Sequence, residues 1–211
     1  MKNYKAIIFD IDGTLLNTLD MNMYPLMQII REELGEEWTF QQVLRFSSQP
    51  GLKTMDDLGI KDKETTYARW VRYVNEYQPG AVVYDGILEV LAKFARAGIR
   101  MAAASAKMHK QYQIDVVDKG IDRYLETAVL AEDTVRHKPD PDPIWEALRR
   151  MDLKPEDVIF IGDAILDYVA AGHAGVDFGY ARWGSVSAAG IESPDLVFDR
   201  PEDMLVLLEN L

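Results

Sequence analysis

The sequence predicts an α/β protein with a doubly wound parallel sheet and an all-helical segment inserted after the first strand. From residue 86 onward, apolar runs typical of strands alternate with amphipathic segments typical of helices, which indicates βαβ units. The run Ala6–Phe9 is apolar at every position, as expected of a central strand that is buried on both faces. Residues 19–78 show helical patterns and no clear strand, so we expect them to form a separate unit.

The inserted segment is predicted to contain two amphipathic helices joined through a polar turn. Apolar side chains recur at helical spacing in Met21–Leu34 and in Thr65–Tyr77, and Gly35 is placed to end the first helix. The turn lies at residues 47–51, Ser-Ser-Gln-Pro-Gly. We expect this insert to fold over the strand ends as a cap. The predicted bounds are residues 17–80 for the cap and residues 1–16 with 81–211 for the sheet domain.

The second half of the chain supplies the remaining elements of the predicted sheet domain. Gly98 is placed to end one helix, and a proline lies in the first turn of another, where its missing N–H does no harm. The predicted strands are residues 99–104, 128–131, 158–161, 177–181 and 196–198. The predicted helices are residues 87–97, 108–119, 141–151, 167–174 and 201–211.

Composition narrows the classes of partner. The 211 residues and 48% hydrophobic content allow one full domain and a small insert. Because 35 acidic residues outnumber 23 basic ones, we expect no nucleic-acid or membrane partner, and any attraction of an anionic substrate must be local. The absence of Cys excludes disulfides and thiol chemistry. The chain shows neither a signal peptide nor a membrane-length apolar run, so we expect a cytoplasmic location.

Two aspartates follow the first predicted strand. Asp10 would lie at the carboxyl end of that strand, where open α/β sheets bind their ligands, and Asp12 comes two residues later. Two carboxylates this close repel each other, and burial strengthens the effect. The pair therefore requires a cation, a shared proton or good hydrogen bonding. The alternative is that the Asp-Gly pair only forms a turn.

Three further motifs follow in order. Ser105 ends an apolar run, Lys138 precedes a proline, and residues 162–167 read Gly-Asp-x-x-x-Asp. Together with Asp-x-Asp-Gly-Thr at residues 10–14, they resemble the four motifs of the haloacid dehalogenase-like hydrolase superfamily. The resemblance spans residues 5 to about 184 and implies a Rossmann-like core with an inserted cap.

The resemblance implies a role for each motif residue in phosphoryl transfer. Asp10 would be the nucleophile that forms an aspartyl-phosphate. Asp12 would protonate the leaving oxygen and then activate water. Lys138 would neutralise charge shared by the phosphate and the nucleophile. Thr14 and Ser105 would bind the phosphoryl group, and the Ser105 hydroxyl could cap the helix that follows, either instead or as well.

A metal site is expected beside the nucleophile. The carboxylates of Asp10, Asp163 and Asp167 are hard oxygen ligands that suit Mg²⁺, and no His or Cys accompanies them. The resemblance adds the backbone carbonyl of Asp12 as a further ligand. Asp167 could also cap the helix that it begins.

Basic residues outside the motifs receive weaker assignments. Arg45 and Lys53 flank the polar turn of the cap and are predicted to contact the rest of the substrate. The alternative, at least as well supported, is that both residues lie in a solvated loop between helices and contact no substrate. Lys107 and Arg136 are predicted to be surface charges, and the three His residues show no ligand spacing.

Three functions compete at this point. The first is a Mg²⁺-dependent phosphatase of a small phosphorylated metabolite, which the Trp183-Gly184 pair supports because it resembles a pair in phosphoglycolate phosphatase-like members. The second is a β-phosphoglucomutase-like enzyme, and the third is a non-catalytic phosphate-binding relative. Dehalogenation is disfavoured because Asp12 is present. We expect a monomer or a homodimer.

Overall fold

The chain folds into two compact units. The structure is a computed structural model that describes residues 2–47 and 49–209. One unit, called here the sheet unit, comprises Met1–Asn17 and Val83–Leu211, and the other, the helical unit, comprises Thr18–Val82. These bounds differ by one or two residues from the predicted domain bounds.

In its described residues, the helical unit contains four α-helices around an apolar core. Gly35 ends the first helix in a left-handed conformation, as the sequence predicts, and the Asp62 side chain caps the last by accepting from the Thr65 N–H. Both predicted helices begin two residues earlier than expected, and two short helices between them were not predicted. The helices are α1 Leu19–Leu34, α2 Phe40–Val43, α3 Gly51–Asp57 and α4 Lys63–Glu76.

The core of the helical unit is aliphatic and aromatic. Leu26 and Ile30 of α1 are fully buried, and they cluster with Val43, Met55 and the ring of Trp70. The Trp70 indole N–H donates to the carbonyl of Asn22, 3.0 Å away, so its one polar group is satisfied.

The sheet unit is organised around a six-stranded sheet whose pairings are all parallel, which confirms the predicted fold class. Two shorter strands, not predicted, pair with each other. The strands are β1 Ala6–Phe9, β2 Leu16–Asn17, β3 Val82–Val83, β4 Arg100–Ala104, β5 Thr127–Val129, β6 Val158–Gly162, β7 Asp177–Ala181 and β8 Leu196–Phe198.

The strand order places a ligand crevice beside β1. In the sheet the order is β5-β4-β1-β6-β7-β8. The chain therefore places β4 and β5 on one side of β1, and then β6, β7 and β8 on the other. Phe9 pairs with Ala103 of β4 and with Ile161 of β6, so the three central strands end at the same level. In doubly wound sheets, ligands bind where the order reverses, which here is between β1 and β6.

Helices cover the sheet and form its core. Ile8 and Phe160 of the central strands pack with Ile144, Leu148 and Ala171 from two of these helices, and all five are buried. No described helix is long and apolar enough to cross a membrane. The α-helices of this unit are α5 Ile87–Arg96, α6 His109–Tyr112, α7 Asp142–Met151 and α8 Ile165–Ala174.

Three predicted elements of the sheet unit differ in the structure. The predicted helix at residues 108–119 is α6 followed by a π-helical segment, Gln113–Val117. The predicted strand at residues 128–131 ends at Val129, because the Asp133 carboxylate accepts from the Leu130 N–H and turns the chain. The closing helix is a 3₁₀ helix, Pro201–Leu208, and residues 210 and 211 lie outside the described part of the chain.

Candidate active site

The site lies at the carboxyl ends of β1 and β6. Asp10 follows β1 directly, and its N–H donates to the carbonyl of Ile161 at 2.8 Å, which fixes its backbone against the neighbouring strand. Asp163 follows Gly162, the last residue of β6. Both aspartates are therefore held by the sheet itself at the reversal of strand order.

Three buried carboxylates gather at this point. Oxygens of Asp10, Asp163 and Asp167 lie within 4.8 Å of one another. Burial raises the pKa of Asp10 to about 7, against the opposing effect of the Lys138 charge, and Asp167 raises it further. Burial also raises the pKa of Asp163, with Asp167 and Asp10 adding to the effect. Burial and mutual repulsion therefore both disfavour the ionised forms of Asp10 and Asp163.

Lys138 is the cation that contacts this cluster. Its Nζ lies 2.7 Å from Oδ1 of Asp10 and 2.6 Å from Oδ1 of Asp167. Burial by itself would lower the pKa of Lys138, but the two carboxylates outweigh it and the pKa is raised. The ammonium group therefore stays charged and joins the predicted nucleophile to the fourth motif.

Asp167 combines the two roles that the sequence left open. Its Oδ1 accepts from Lys138, and its Oδ2 accepts from the N–H of Ala164 at 3.0 Å, at the beginning of α8. Gly162 makes room for this arrangement, because a Cβ there would overlap the Asp167 carboxyl group. The carboxylate caps the helix and faces the site at the same time.

A tight turn after β1 orients the first motif. Gly13 has a φ of +84°, and a Cβ at this position would overlap the carboxylate of Asp163, so glycine is required twice over. The fully buried Thr14 hydroxyl donates to Oδ1 of Asp163 at 3.2 Å. Thr14 was predicted to bind substrate, and the contact that the structure shows is to this carboxylate.

The Trp183-Gly184 pair supports the same turn. The indole N–H of Trp183 donates to the carbonyl of Thr14 at 3.0 Å. At Gly184 a Cβ would overlap the carbonyl oxygen of Gly13. The residues that follow β7 therefore pack directly on the turn of the first motif.

Ser105 lies at the carboxyl end of β4, beside β1. Its N–H donates to the carbonyl of Val129 at 3.0 Å, and its Oγ accepts from the N–H of Lys107 at 3.3 Å. The alternative that Ser105 caps the following helix is wrong, because Met108 holds the N-cap position of α6. The hydroxyl instead stabilises the turn that leaves the strand.

Lys107 is buried, so the prediction made for it is wrong. The sequence predicts a surface charge at this position, but the side chain is only 6% exposed and lies between two carboxylates. Its Nζ lies 3.0 Å from Oδ1 of Asp12 and 2.7 Å from Oδ2 of Asp115. Burial would lower the pKa of Lys107, but these two charges outweigh it and raise the pKa. Arg136, in contrast, is exposed as predicted, and it pairs with Asp142.

The two predicted substrate contacts in the helical unit have partners within that unit. The Arg45 guanidinium lies 4.6 Å from the ring centre of Trp38 and 4.8 Å from that of Phe46. Lys53 pairs with Asp57 at 2.8 Å, one helical turn away. Both basic side chains are exposed. Ser48, in the polar turn between them, lies outside the described residues.

The acidic cluster fits a hard divalent cation. Its donors among the described residues are carboxylate oxygens, which suit Mg²⁺, whereas zinc sites usually include His or Cys. Burial raises the pKa of Asp10 and of Asp163, and the neighbouring carboxylates add to the effect, so their ionised forms are less stable here than in water. A bound cation would stabilise these ionised forms.

Comparison with known proteins identifies the family. The profile of the haloacid dehalogenase-like hydrolases matches residues 7–181. The chain belongs to this family. All four predicted motifs lie within the matched residues, so the resemblance read from the sequence is confirmed.

Individual relatives of this hydrolase family cover nearly the whole chain. Pyrophosphatase PpaX of Bacillus cereus (strain B4264) is 23% identical over 211 residues, which cover 98% of this chain and 97% of the relative. A Lactobacillus plantarum structure, provisionally named a phosphoglycolate phosphatase, has a TM-score of 0.89 and 25% identity, covering 97% of this chain and 99% of that one.

A mutase shares the same fold. The β-phosphoglucomutase of Clostridium difficile has a TM-score of 0.77 and 17% identity, covering 97% of this chain and 96% of that one. At that identity the likeness concerns the fold alone. Phosphatase and mutase names thus occur among proteins of this one architecture, and the fold does not separate the two activities.

Proposed function

We propose that this hydrolase is a Mg²⁺-dependent phosphatase that acts on a small phosphomonoester through an aspartyl-phosphate on Asp10. The observation that carries the proposal is the contact of Lys138 with Asp10 at 2.7 Å inside a buried acidic cluster. A carboxylate nucleophile must be ionised and must approach a phosphate of like charge. The lysine supports both requirements, because its ammonium favours the ionised carboxylate and attracts phosphoryl oxygens.

The first proposed step transfers the phosphoryl group to the protein. A carboxylate oxygen of Asp10 attacks phosphorus, and the bond from phosphorus to the leaving oxygen breaks with its electron pair going to that oxygen. Asp12 donates a proton to the leaving oxygen, which departs as an alcohol. The two aspartates belong to one turn, so Asp12 lies next to the nucleophile in the chain.

The second proposed step regenerates the enzyme. Asp12, now ionised, takes a proton from water while the water oxygen attacks phosphorus. The bond from phosphorus to the Asp10 oxygen breaks, the carboxylate is restored, and inorganic phosphate leaves. Asp12 thus acts first as an acid and then as a base, and the proton that it takes from water replaces the one that it gave to the leaving oxygen.

The acidic cluster would hold the metal for both steps. We assign Asp10, Asp163, Asp167 and the backbone carbonyl of Asp12 as the residues that hold Mg²⁺. The bound ion would supply positive charge that offsets the repulsion between carboxylate and phosphate. Thr14 orients Asp163 by its hydrogen bond, and Lys138 orients Asp167.

The substrate contacts in this proposal are those predicted for single residues. Ser105 would contact the phosphoryl group, whereas Thr14 would act through Asp163, to which its buried hydroxyl donates. Arg45 and Lys53 would contact the rest of the metabolite. The exposed position of both basic residues supports their availability. The cytoplasmic location, the absence of nucleic-acid and membrane partners, and the monomeric or homodimeric state stay predictions.

A panel of phosphate compounds tests the function. Phosphoglycolate, sugar phosphates, 4-nitrophenyl phosphate and pyrophosphate are offered with Mg²⁺, and phosphate release is measured. We expect hydrolysis of at least one small phosphomonoester, and loss of all but a few per cent of turnover in Asp10→Asn, because an amide cannot form the acyl-phosphate. Asp118→Asn, at an exposed position, is the control.

The same panel separates the alternatives. Isomerisation of a hexose phosphate without net phosphate release would favour the mutase. Pyrophosphate as the best substrate would match the name of the Bacillus cereus relative. An absence of turnover on every compound would favour the non-catalytic relative.

A further inference from the structure

Lys107 is buried at the site, yet the proposed steps do not use it. Its ammonium joins two carboxylates that come from separate parts of the sheet unit. Asp12 belongs to the turn after β1, and Asp115 belongs to the π-helical segment that continues α6. Single π-helical turns occur often at functional sites.

The position of Lys107 is fixed by several contacts. Its carbonyl accepts from the N–H of Ala131 at 3.0 Å, and its N–H donates to the hydroxyl of Ser105 at 3.3 Å. Asp115 is almost fully buried. Its Oδ2 accepts from the Lys107 ammonium and, at 2.8 Å, from the side-chain amide of Gln111. The lysine is therefore anchored at its backbone and at its ammonium group.

Asp12 is the residue in this arrangement that needs an anchor. Its side chain is 37% exposed, whereas that of Asp10 is 10% exposed and that of Asp167 is 2% exposed. A partly exposed side chain on a turn can sample several rotamers, and restricting it costs entropy. The ion pair with Lys107 selects the rotamers in which Oδ1 faces the ammonium.

We propose that Lys107 is a positioning residue, which holds the Asp12 carboxylate in its working orientation and is itself anchored by Asp115. The proposal rests on the proposed function, since it assigns Asp12 to proton transfer. In this role Lys107 acts through Asp12, with which it forms an ion pair. Its removal should therefore weaken only the steps in which Asp12 moves a proton.

The choice of leaving group makes this selectivity measurable. In 4-nitrophenyl phosphate the phosphorus–oxygen bond breaks to give a phenolate that departs without a proton, so transfer to Asp10 does not require Asp12. Hydrolysis of the aspartyl-phosphate always requires a base to take the proton of water. With an alkyl phosphate, both steps require Asp12.

The test uses the full chain and two variants. Lys107→Met alone would leave Asp115 buried without its cation, so the main variant is the double substitution Lys107→Met with Asp115→Asn. Lys110→Met, an exposed lysine three residues later, is the matched control. Rapid mixing with 4-nitrophenyl phosphate and Mg²⁺ separates the first release of nitrophenolate from steady-state turnover.

We expect the double variant to release about one nitrophenolate per enzyme at the wild-type rate and then to turn over at least tenfold more slowly, with a lower KM because the phosphorylated enzyme accumulates. An alkyl phosphate should show no such burst and should lose rate in its first step. An equal loss in both phases, or wild-type behaviour, would overturn the positioning role. A wild-type enzyme without phosphate release would overturn the proposed function instead.

A second readout does not depend on activity. In a crystal structure of the metal-free double variant, we expect the Asp12 carboxylate to leave its present orientation or to occupy more than one rotamer. A single unchanged rotamer would overturn the proposal, because Asp12 would then be held without Lys107.

Discussion

Charge balance at single residues governs this site. Lys138 would be predicted as a solvated loop residue from its surroundings in the sequence, and only the motif pattern marks it. The fold buries its ammonium group between Asp10 and Asp167, so its charge offsets carboxylates that would otherwise repel each other. The lysine thus stabilises the site and prepares the nucleophile.

Removing this charge should damage both activity and stability. In Lys138→Met, the carboxylates lose their buried partner, which typically costs about 3–5 kcal/mol. Loss of one preorganised group that stabilises the transition state lowers kcat by roughly 10²–10³. Denaturant unfolding in metal-free buffer and steady-state kinetics measure the two effects. Arg136→Gln, an exposed position in the same loop, should change neither, and a stable variant with wild-type kcat would contradict the assigned role.

Lys107 shows what residue patterns leave undetermined. A lysine after a strand is usually solvated, and nothing in the local sequence pairs it with Asp12 or with Asp115, eight residues later. The pairing arises because β1 and β4 are neighbours and because α6 continues as a π-helical segment. Both facts belong to tertiary structure, which the one-dimensional pattern does not contain.

Among the elements, the turn after β1 connects the sheet to the chemistry. It is packed from both sides, by Asp163 against Gly13 and by the Trp183-Gly184 pair against Gly13 and Thr14. The sequence predicted β1 and its neighbours in the sheet, β4 and β6, because their apolar runs are long enough to recognise. It missed β2 and β3, which have two residues each and show no periodicity.

A methyl group at Gly184 tests the packing of this turn. Gly184→Ala would force the added Cβ into the carbonyl oxygen of Gly13, so we expect lower stability and a displaced Asp12. Overpacking of this kind typically costs about 1–3 kcal/mol. Gly172→Ala in α8 is the control: its Cβ would meet no atom within 4 Å, and alanine favours helix by up to about 1 kcal/mol. Thermal unfolding distinguishes the two, and equal melting temperatures would contradict the packing.

At the scale of the whole molecule, the sheet order brings the motifs together. The four motifs are spread over residues 10–167, and their strands β1, β4 and β6 lie side by side in the sheet. Strand–helix alternation predicted a parallel sheet, but it contains no information on the order of the strands. The family resemblance supplied that information for the core. It did not extend to the substrate, because residues that read the substrate differ among members of one fold.

Metal binding should stabilise the whole protein. The clustered carboxylates repel one another in the absence of a cation, and a ligand that binds only the folded state stabilises it by about 2.7 kcal/mol at 100 times its Kd. For a chain of this size that corresponds to roughly 5–10 °C in Tm. Thermal unfolding with Mg²⁺, against NaCl of equal ionic strength, measures the shift. Asp163→Asn should lose most of it, and an equal shift in this variant would exclude the cluster as the metal site.

The most direct test of Asp10 as the nucleophile is to trap the aspartyl-phosphate. The enzyme is mixed with 4-nitrophenyl phosphate and Mg²⁺, quenched in acid and reduced with borohydride, which converts an acyl-phosphate into homoserine. Peptide mass spectrometry then locates the modified residue. We predict homoserine at position 10, absent without substrate and absent in Asp10→Asn. Homoserine at another aspartate would contradict the mechanism. So would an unmodified Asp10 in a variant that shows a burst of nitrophenolate release, because such a variant accumulates the phosphorylated enzyme.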